Sequence, residues 1–351
     1  MYRRTSMNKT IFTLLAAVLL TTPAVAQTQK TLPLLQKGSR TLQENQTVLN
    51  LFRTSKNPAE VFAAGASLVR LPPPEQQEPA LFNLVLQSQD PLKKLFAAVI
   101  LTAMGNNYEE LLPMLADSAH SQDNALSAYA ATAHTIIYPQ NTQYADQVVN
   151  MYIYDEAFAQ RAMNLISGGD KQTLKYLKQA AANTDVKVRA AAAAWLGDLQ
   201  TKEAAKFLLK RAKKELESEA CSALAVALAK NSNYTLEETL KNLRQDYDTP
   251  QANTYALALG FMAGNAINGV KHGLEDKNAN TQINAARAAA YMAGVLASPQ
   301  AGEYSNDPNF DKSLLKTLVP QLNILSKRGG NAAKIYADNA LYQMTQLNQS
   351  L

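Results

Sequence analysis

The chain has 351 residues and carries 34 Lys and Arg against 29 Asp and Glu, with a single cysteine. Cys221 cannot form an internal disulfide, so the chain must be stabilised by a large apolar core, and its length is sufficient to bury one. The segment 1–26 contains three basic and no acidic side chains, and without it the net charge falls from +5 to +2. A charge this close to neutral argues against nucleic acid as a partner.

The segment 1–26 is typical of a signal peptide. Three basic residues precede an apolar run at 11–20, and Ala24 and Ala26 are the small residues that a signal peptidase needs, so we expect cleavage before Gln27. The run is shorter than the roughly 20 residues that span a bilayer. The sequence therefore predicts export to the periplasm of a Gram-negative bacterium, or secretion otherwise. It also predicts that the processed chain is not an integral membrane protein.

Beyond this segment the apolar residues recur at helical spacing, and no stretch alternates as strands do. One such stripe has the offsets 0, 3, 4, 7 and 11 and consists of Val188, Ala191, Ala192, Trp195 and Leu199. The stripe that starts at Ala205 has the same offsets. We therefore predict an all-α fold of stacked antiparallel helix pairs.

A longer pattern recurs along the chain, in which an Asp is followed by a basic or polar residue, an Ala-rich run and a Gly. The clearest copy is Asp185–Gly197, and other copies end at Gly105, Gly264 and Gly294. The predicted helix ends lie near residues 105, 135, 168, 197, 230, 264 and 294. A period of about 30 residues is the size of one α-solenoid unit. The alternative is an Ala-rich helical bundle whose internal similarity is only compositional.

Each residue type in this pattern has a structural explanation. An Asp at a helix start accepts hydrogen bonds from free backbone N–H groups. Ala side chains allow neighbouring helices to approach closely, and Gly can take the left-handed conformation that ends a helix. The repeated residues therefore indicate packing and capping, and none of them indicates catalysis.

The segment Asp185–Gly197 resembles the second helix of a HEAT repeat in its short bacterial form. The resemblance extends over roughly residues 81–297 and is strongest in this copy. It implies an armadillo-type α-solenoid superhelix in which Asp185 and Arg189 tie adjacent repeats together.

The repeat pattern and the prolines predict the domain boundaries. The signal peptide at 1–26 precedes an N-terminal helical segment with a Pro-rich linker at 27–79, which cannot be helical through Pro72, Pro73 and Pro74. The HEAT-like array follows at 80–297. A polar loop and two capping helices, near 311–326 and 331–347, occupy the remainder, 298–351.

Residue types that carry chemistry are scattered. His120, His134 and His272 are far apart in the sequence, and no metal, nucleophile or phosphate-binding motif is present. Cys221 lies in an apolar run and is expected in the core. The sequence predicts no cofactor, no metal and no enzymatic activity.

Charge is distributed unevenly along the array. Residues 95–170 have a net charge of −7, whereas residues 171–214 have a net charge of +8. Six lysines of the basic stretch are the candidate binding residues, namely Lys171, Lys175, Lys178, Lys206, Lys210 and Lys213. The alternative is that they form ordinary solvated helix faces.

These observations favour an exported scaffold or adaptor that binds another macromolecule through its solenoid surface. The expected partner is a protein, or else an anionic component of the cell envelope. One alternative is an envelope enzyme or assembly factor that uses the solenoid as a substrate clamp. Another is a structural envelope component that associates with itself through its acidic and basic parts.

Overall fold

The computed structural model describes residues 33–167, 170–297 and 312–349, and within these ranges the chain is helical and contains no strand. The predicted all-α class is confirmed. The chain divides between Tyr176 and Leu177 into two compact units. The predicted signal peptide and the polar loop at 298–309 lie outside the described residues, and the predicted domain boundaries stay predictions.

The first unit is built from short helices in close succession. They are α1 (Leu42–Thr54), α2 (Pro58–Arg70), α3 (Glu78–Gln87), α4 (Pro91–Ala103), α5 (Leu112–Ala119), α6 (Asn124–Ile137), α7 (Ala145–Tyr154) and α8 (Glu156–Ser167). The next helix, α9 (Asp170–Ala180), contains the division between the two units.

The second unit continues in the same manner. Its helices are α10 (Val186–Leu199), α11 (Lys202–Ala212), α12 (Ser218–Lys230), α13 (Ser232–Lys241), α14 (Pro250–Met262), α15 (Ile267–Glu275), α16 (Ala279–Ala297), α17 (Val319–Arg328) and α18 (Asn331–Gln349). A 3-10 helix at Lys312–Leu318 precedes α17, where a single helix at 311–326 was predicted.

Helices pack in chain order. In the first unit, α2, α4, α6 and α8 pack one against the next, and each odd-numbered helix lies beside an even-numbered one. In the second unit, α10, α12, α14, α16 and α18 form one row, while α11, α13, α15 and α17 form a second row beside it. This neighbour-to-neighbour packing is compatible with a helical-repeat solenoid.

The even-numbered helices recur at the interval that the sequence predicts. From α4 to α16 they end at Ala103, Ile137, Ser167, Leu199, Lys230, Met262 and Ala297, each close to the predicted end. The predicted period is therefore confirmed.

The two rows of the second unit differ in burial. In α10 the run Ala190–Ala194 is buried, and so are Trp195 and Leu196, because this helix packs against both α11 and α12. Helix α11 buries one side and exposes the other. A helix that is apolar all round lies inside, whereas an amphipathic helix lies at the surface. The even-numbered row therefore forms the core of this unit.

Capping at the start of the even-numbered helices follows the prediction in several copies. The Asp90 carboxylate accepts from the backbone N–H of Leu92 at 2.9 Å, and Asp123 and Asp185 cap α6 and α10 in the same way. The prediction is wrong for the two later copies. The predicted caps are Asp248 and Asp276, but Thr249 caps α14 and Asn278 caps α16.

The predicted helix-ending role of Gly is correct for Gly105, which has φ +103° two residues after the end of α4, and wrong for Gly197 and for Gly294, which lies inside α16. Helix α10 continues through Gly197 to Leu199, and Gln200 takes the left-handed position with φ 48°. A Cβ on Gly197 would lie 2.8 Å from the Ala227 Cα, so this Gly allows α10 and α12 to approach closely.

Candidate binding surface

Helix α11 presents a lysine-rich side to solvent. Thr201 caps its start, accepting from the Ala204 N–H at 3.2 Å. Ala204, Ala205, Leu208 and Ala212 are buried on its inner side. Three lysines at four-residue intervals are exposed on the other side, namely Lys202, Lys206 and Lys210, and we call them the lysine face of α11.

Two of the predicted binding lysines are engaged in ion pairs. The Lys178 ammonium lies 2.5 Å from the Glu203 carboxylate and 6.0 Å from the centre of the Phe207 ring. The Lys213 ammonium lies 2.9 Å from the Glu238 carboxylate. Each pair joins one odd-numbered helix to the next. Partly exposed pairs of this kind contribute at most about 1 kcal/mol, and they leave little free charge for a ligand.

The other predicted lysines differ in their surroundings. Lys206 and Lys210 have no acidic partner in the described part of the chain. Lys171 and Lys175 lie one turn apart on α9, within the first unit, and both are exposed. Lys202 is not among the predicted binding residues, although its four-residue spacing from Lys206 places both on the same side of a helix.

Glu215 is a buried ionic centre between helices. Arg189 donates to its carboxylate from Nε at 2.9 Å and Nη2 at 3.0 Å, and Arg211 donates at 2.7 Å. The backbone N–H groups of Leu216 and Glu217 donate as well. Burial by itself raises the pKa of Glu215, but the hydrogen bonds from both arginines and the two N–H groups lower that pKa to about 2.

Arg189 reaches from α10 to the turn before α12, a contact compatible with the tie between neighbouring repeats that the HEAT resemblance implies. The implied inter-repeat role is wrong for Asp185, whose carboxylate accepts from the Lys187 N–H at 2.8 Å inside its own repeat. In the sequence, Glu215 directly follows the basic stretch 171–214. The structure shows it 2% exposed and fully engaged with its neighbours.

Other ionisable groups are buried in the helical core. Burial lowers the pKa of His134, whose ring packs against Tyr144 at 4.8 Å between ring centres. Burial raises the pKa of Asp155, which caps α8 by accepting from the Phe158 N–H. Burial also raises the pKa of the Cys221 thiol, a core residue as predicted. These groups contribute to packing and capping.

Among the described residues, no group of three His, Cys, Asp or Glu side chains is placed to hold a metal ion. Over the same ranges, no helix combines the length and apolar character needed to cross a bilayer. Compared with known proteins, the chain matches no family model and is not significantly similar to any curated protein sequence. The resemblance to HEAT repeats therefore rests on the residues of the repeats themselves.

Proposed function

We propose that this chain is an exported, HEAT-like α-solenoid scaffold that binds an acidic protein through the lysine face of α11. The observation that carries the proposal is the contrast among the lysines of this region. Lys178 and Lys213 are neutralised by carboxylates, whereas the lysine face between them is exposed and has no acidic partner in the described ranges.

The spacing of the lysine face supports a binding role. Like charges four residues apart destabilise a helix by roughly 0.2–0.5 kcal/mol for each pair. Lys202, Lys206 and Lys210 form two such pairs. On the preceding odd-numbered helix, by contrast, Lys178 is neutralised by the carboxylate of Glu203. An acidic partner that lies along α11 would relieve this repulsion and gain three ion pairs at once.

The amount of charge favours a protein over a membrane surface. Binding to anionic lipid typically uses clusters of four to eight basic residues at about 1 kcal/mol each. The lysine face supplies three, spread over about 12 Å of helix at 1.5 Å per residue, and the adjacent exposed Lys214 brings the total only to the lower limit of that range. A short row of acidic side chains on a folded partner matches that length.

Photo-crosslinking in the native host tests the proposal. A photo-crosslinking residue at Lys214, one turn after Lys210, leaves the lysine face intact and should capture an acidic protein. The same residue at Lys334, which is exposed on α18, is the matched control. The double charge reversal Lys206→Glu with Lys210→Glu should abolish capture, whereas Lys277→Glu with Lys334→Glu should leave it unchanged.

Two results would count against the proposal. If both charge reversals reduce capture equally, the net charge of the chain matters and the lysine face does not. If the reversal at Lys206 and Lys210 leaves capture unchanged, or if the crosslinked species is lipid or wall polymer, an acidic protein is not the partner of this face.

Export is tested separately by fractionation of the native host. The protein should appear in the periplasmic or secreted fraction, and mass spectrometry should find Gln27 as its first residue. A cytoplasmic protein that retains the segment 1–26 would overturn the proposed location.

A further inference from the structure

The first unit contains an open depression that no sequence pattern predicts. It lies beside the end of α1, one face of α3 and the start of α4, and its volume is about 460 Å³. Arg53 and Lys93 contribute the cations, and α3 contributes Ala80, Asn83, Leu84 and Gln87. Binding sites for small molecules typically occupy about 300–1,000 Å³. The depression is therefore large enough for a small organic molecule.

Its polar groups are largely uncommitted. Lys93 Nζ donates to the backbone carbonyl of Arg53 at 2.9 Å, which leaves two of its three N–H donors. Arg53 has no acidic partner in the described part of the chain, and the exposed amides of Asn83 and Gln87 form no side-chain hydrogen bond within those ranges. No acidic side chain lines the depression.

We infer that this depression binds a small organic carboxylate. The Arg53 guanidinium can donate two parallel hydrogen bonds to a carboxylate, and the Lys93 ammonium adds a second positive charge. The amides of Asn83 and Gln87 suit an amide or hydroxyl group on the ligand, and Ala80 and Leu84 supply apolar contacts.

The start of α4 disfavours phosphate as the anion. Phosphate sites commonly use the free N–H groups at a helix start. Here the Asp90 carboxylate already accepts from the N–H groups of Leu92 and Lys93, at 2.9 and 3.3 Å. Without free N–H groups at this helix start, an anion in the depression has only side-chain donors, and a carboxylate needs no more than these.

The test is a titration of the full chain, labelled with ¹⁵N, with N-acetylglycine as the probe. The Arg53 Nε–H and the side-chain amides of Asn83 and Gln87 should shift saturably at millimolar probe. Neutral N-acetylglycinamide and inorganic phosphate should bind at least tenfold more weakly. Arg53→Gln should weaken binding of N-acetylglycine by at least tenfold, whereas Lys56→Gln, a nearby exposed cation outside the depression, should not.

Comparison of the probes on the unmodified protein keeps the test decisive even if Arg53→Gln fails to fold. Equal affinity for the neutral amide, tighter binding of phosphate, or no saturable shift at tens of millimolar would each overturn the inference.

Discussion

The carboxylate of Glu215 shows how one side chain stabilises the contact between repeats. It is 2% exposed, yet it accepts from two arginines and from two backbone N–H groups. A buried charge is tolerated when its hydrogen bonds and ionic partners replace the lost hydration. Arg189 is the partner from the preceding helix, so it connects α10 to the turn before α12.

Arg189→Met should therefore be strongly destabilising. It leaves the buried Glu215 carboxylate with only part of its partners, and breaking a buried pair from one side costs about 3–5 kcal/mol. Urea unfolding at neutral pH should show this loss in the free energy of unfolding. The control is Lys241→Met, which breaks the exposed pair with Glu237 and should cost less than about 1 kcal/mol. Equal effects of the two variants would show that the Arg189–Glu215 pair is not the connection described here.

The same carboxylate should produce an acid-sensitive stability. Its pKa is about 2 in the fold, below its ordinary value of 4.5. A lowered pKa means that the contribution of Glu215 is fully present above pH 4.5 and is lost as the pH falls toward 2. Between about pH 5 and pH 2.5, the wild type should lose about 2–3 kcal/mol more than Glu215→Gln.

Urea unfolding across this pH range checks the expectation. Glu237→Gln removes a carboxylate that is 86% exposed and should keep the wild-type pH slope. If Glu215→Gln also follows that slope, Glu215 does not hold the low pKa that the geometry implies.

The glycines in the even-numbered helices show how closely those helices pack. Cβ atoms added at Gly197 and Gly260 would lie 2.8 Å from the Ala227 Cα and 2.5 Å from the Tyr291 Cβ. A Cβ added at Gly294 meets nothing within 4 Å. Gly197 and Gly294 occupy equivalent places in the repeat pattern, so they form a matched pair for testing the effect of close packing.

Gly197→Ala should lower the free energy of unfolding, whereas Gly294→Ala should raise it. Ala is about 1 kcal/mol better than Gly inside a helix, and this gain is available where space is free. At Gly197 the backbone of α12 must move to admit the methyl group, and overpacking typically costs about 1–3 kcal/mol. Thermal and urea unfolding of both variants would show whether each substitution raises or lowers the free energy of unfolding. Stabilisation by Gly197→Ala would mean that α10 and α12 are not in close contact.

The helices and their period could be predicted from sequence because the signals are local. Asp90, Asp123 and Asp185 cap the helices that follow them, and apolar spacing revealed which sides are buried. The role of Gly197 could not be predicted, because its closeness to Ala227 depends on how the next even-numbered helix packs. The role of Glu215 could not be predicted for the same reason, since Arg189, one of its two arginine partners, comes from the preceding even-numbered helix.

The candidate binding residues illustrate the same limit. The sequence identified a basic stretch, but the carboxylates that pair with Lys178 and Lys213 lie 25 residues beyond each lysine, on the next odd-numbered helix. Only the packing of the helices shows which lysines are paired with carboxylates and which belong to the exposed lysine face. The depression beside α3 was missed because Arg53 and Lys93 are 40 residues apart in the sequence.

At the scale of the molecule, packing in chain order means that most contacts join near neighbours. In such an arrangement, the free energy of unfolding is approximately the sum of the stabilities of the individual repeats and of the interfaces between neighbours. A substitution should therefore destabilise its own repeat and the adjacent ones, and leave distant helices unchanged. Phe96 tests this in the first unit. It is fully buried on α4, and its ring centre lies 5.3 Å from that of Phe62 on α2 and 5.1 Å from that of Tyr129 on α6.

Phe96→Ala should cost about 3–5 kcal/mol and loosen α2, α4 and α6 together. Hydrogen exchange followed by mass spectrometry should show faster exchange in peptides from these helices, because local opening becomes easier there. Peptides from α14, α16 and α18 should exchange as in the wild type, since their row is built from its own neighbour contacts. A uniform increase along the whole chain would mean that the two units unfold as one cooperative structure, which packing between near neighbours alone would not produce.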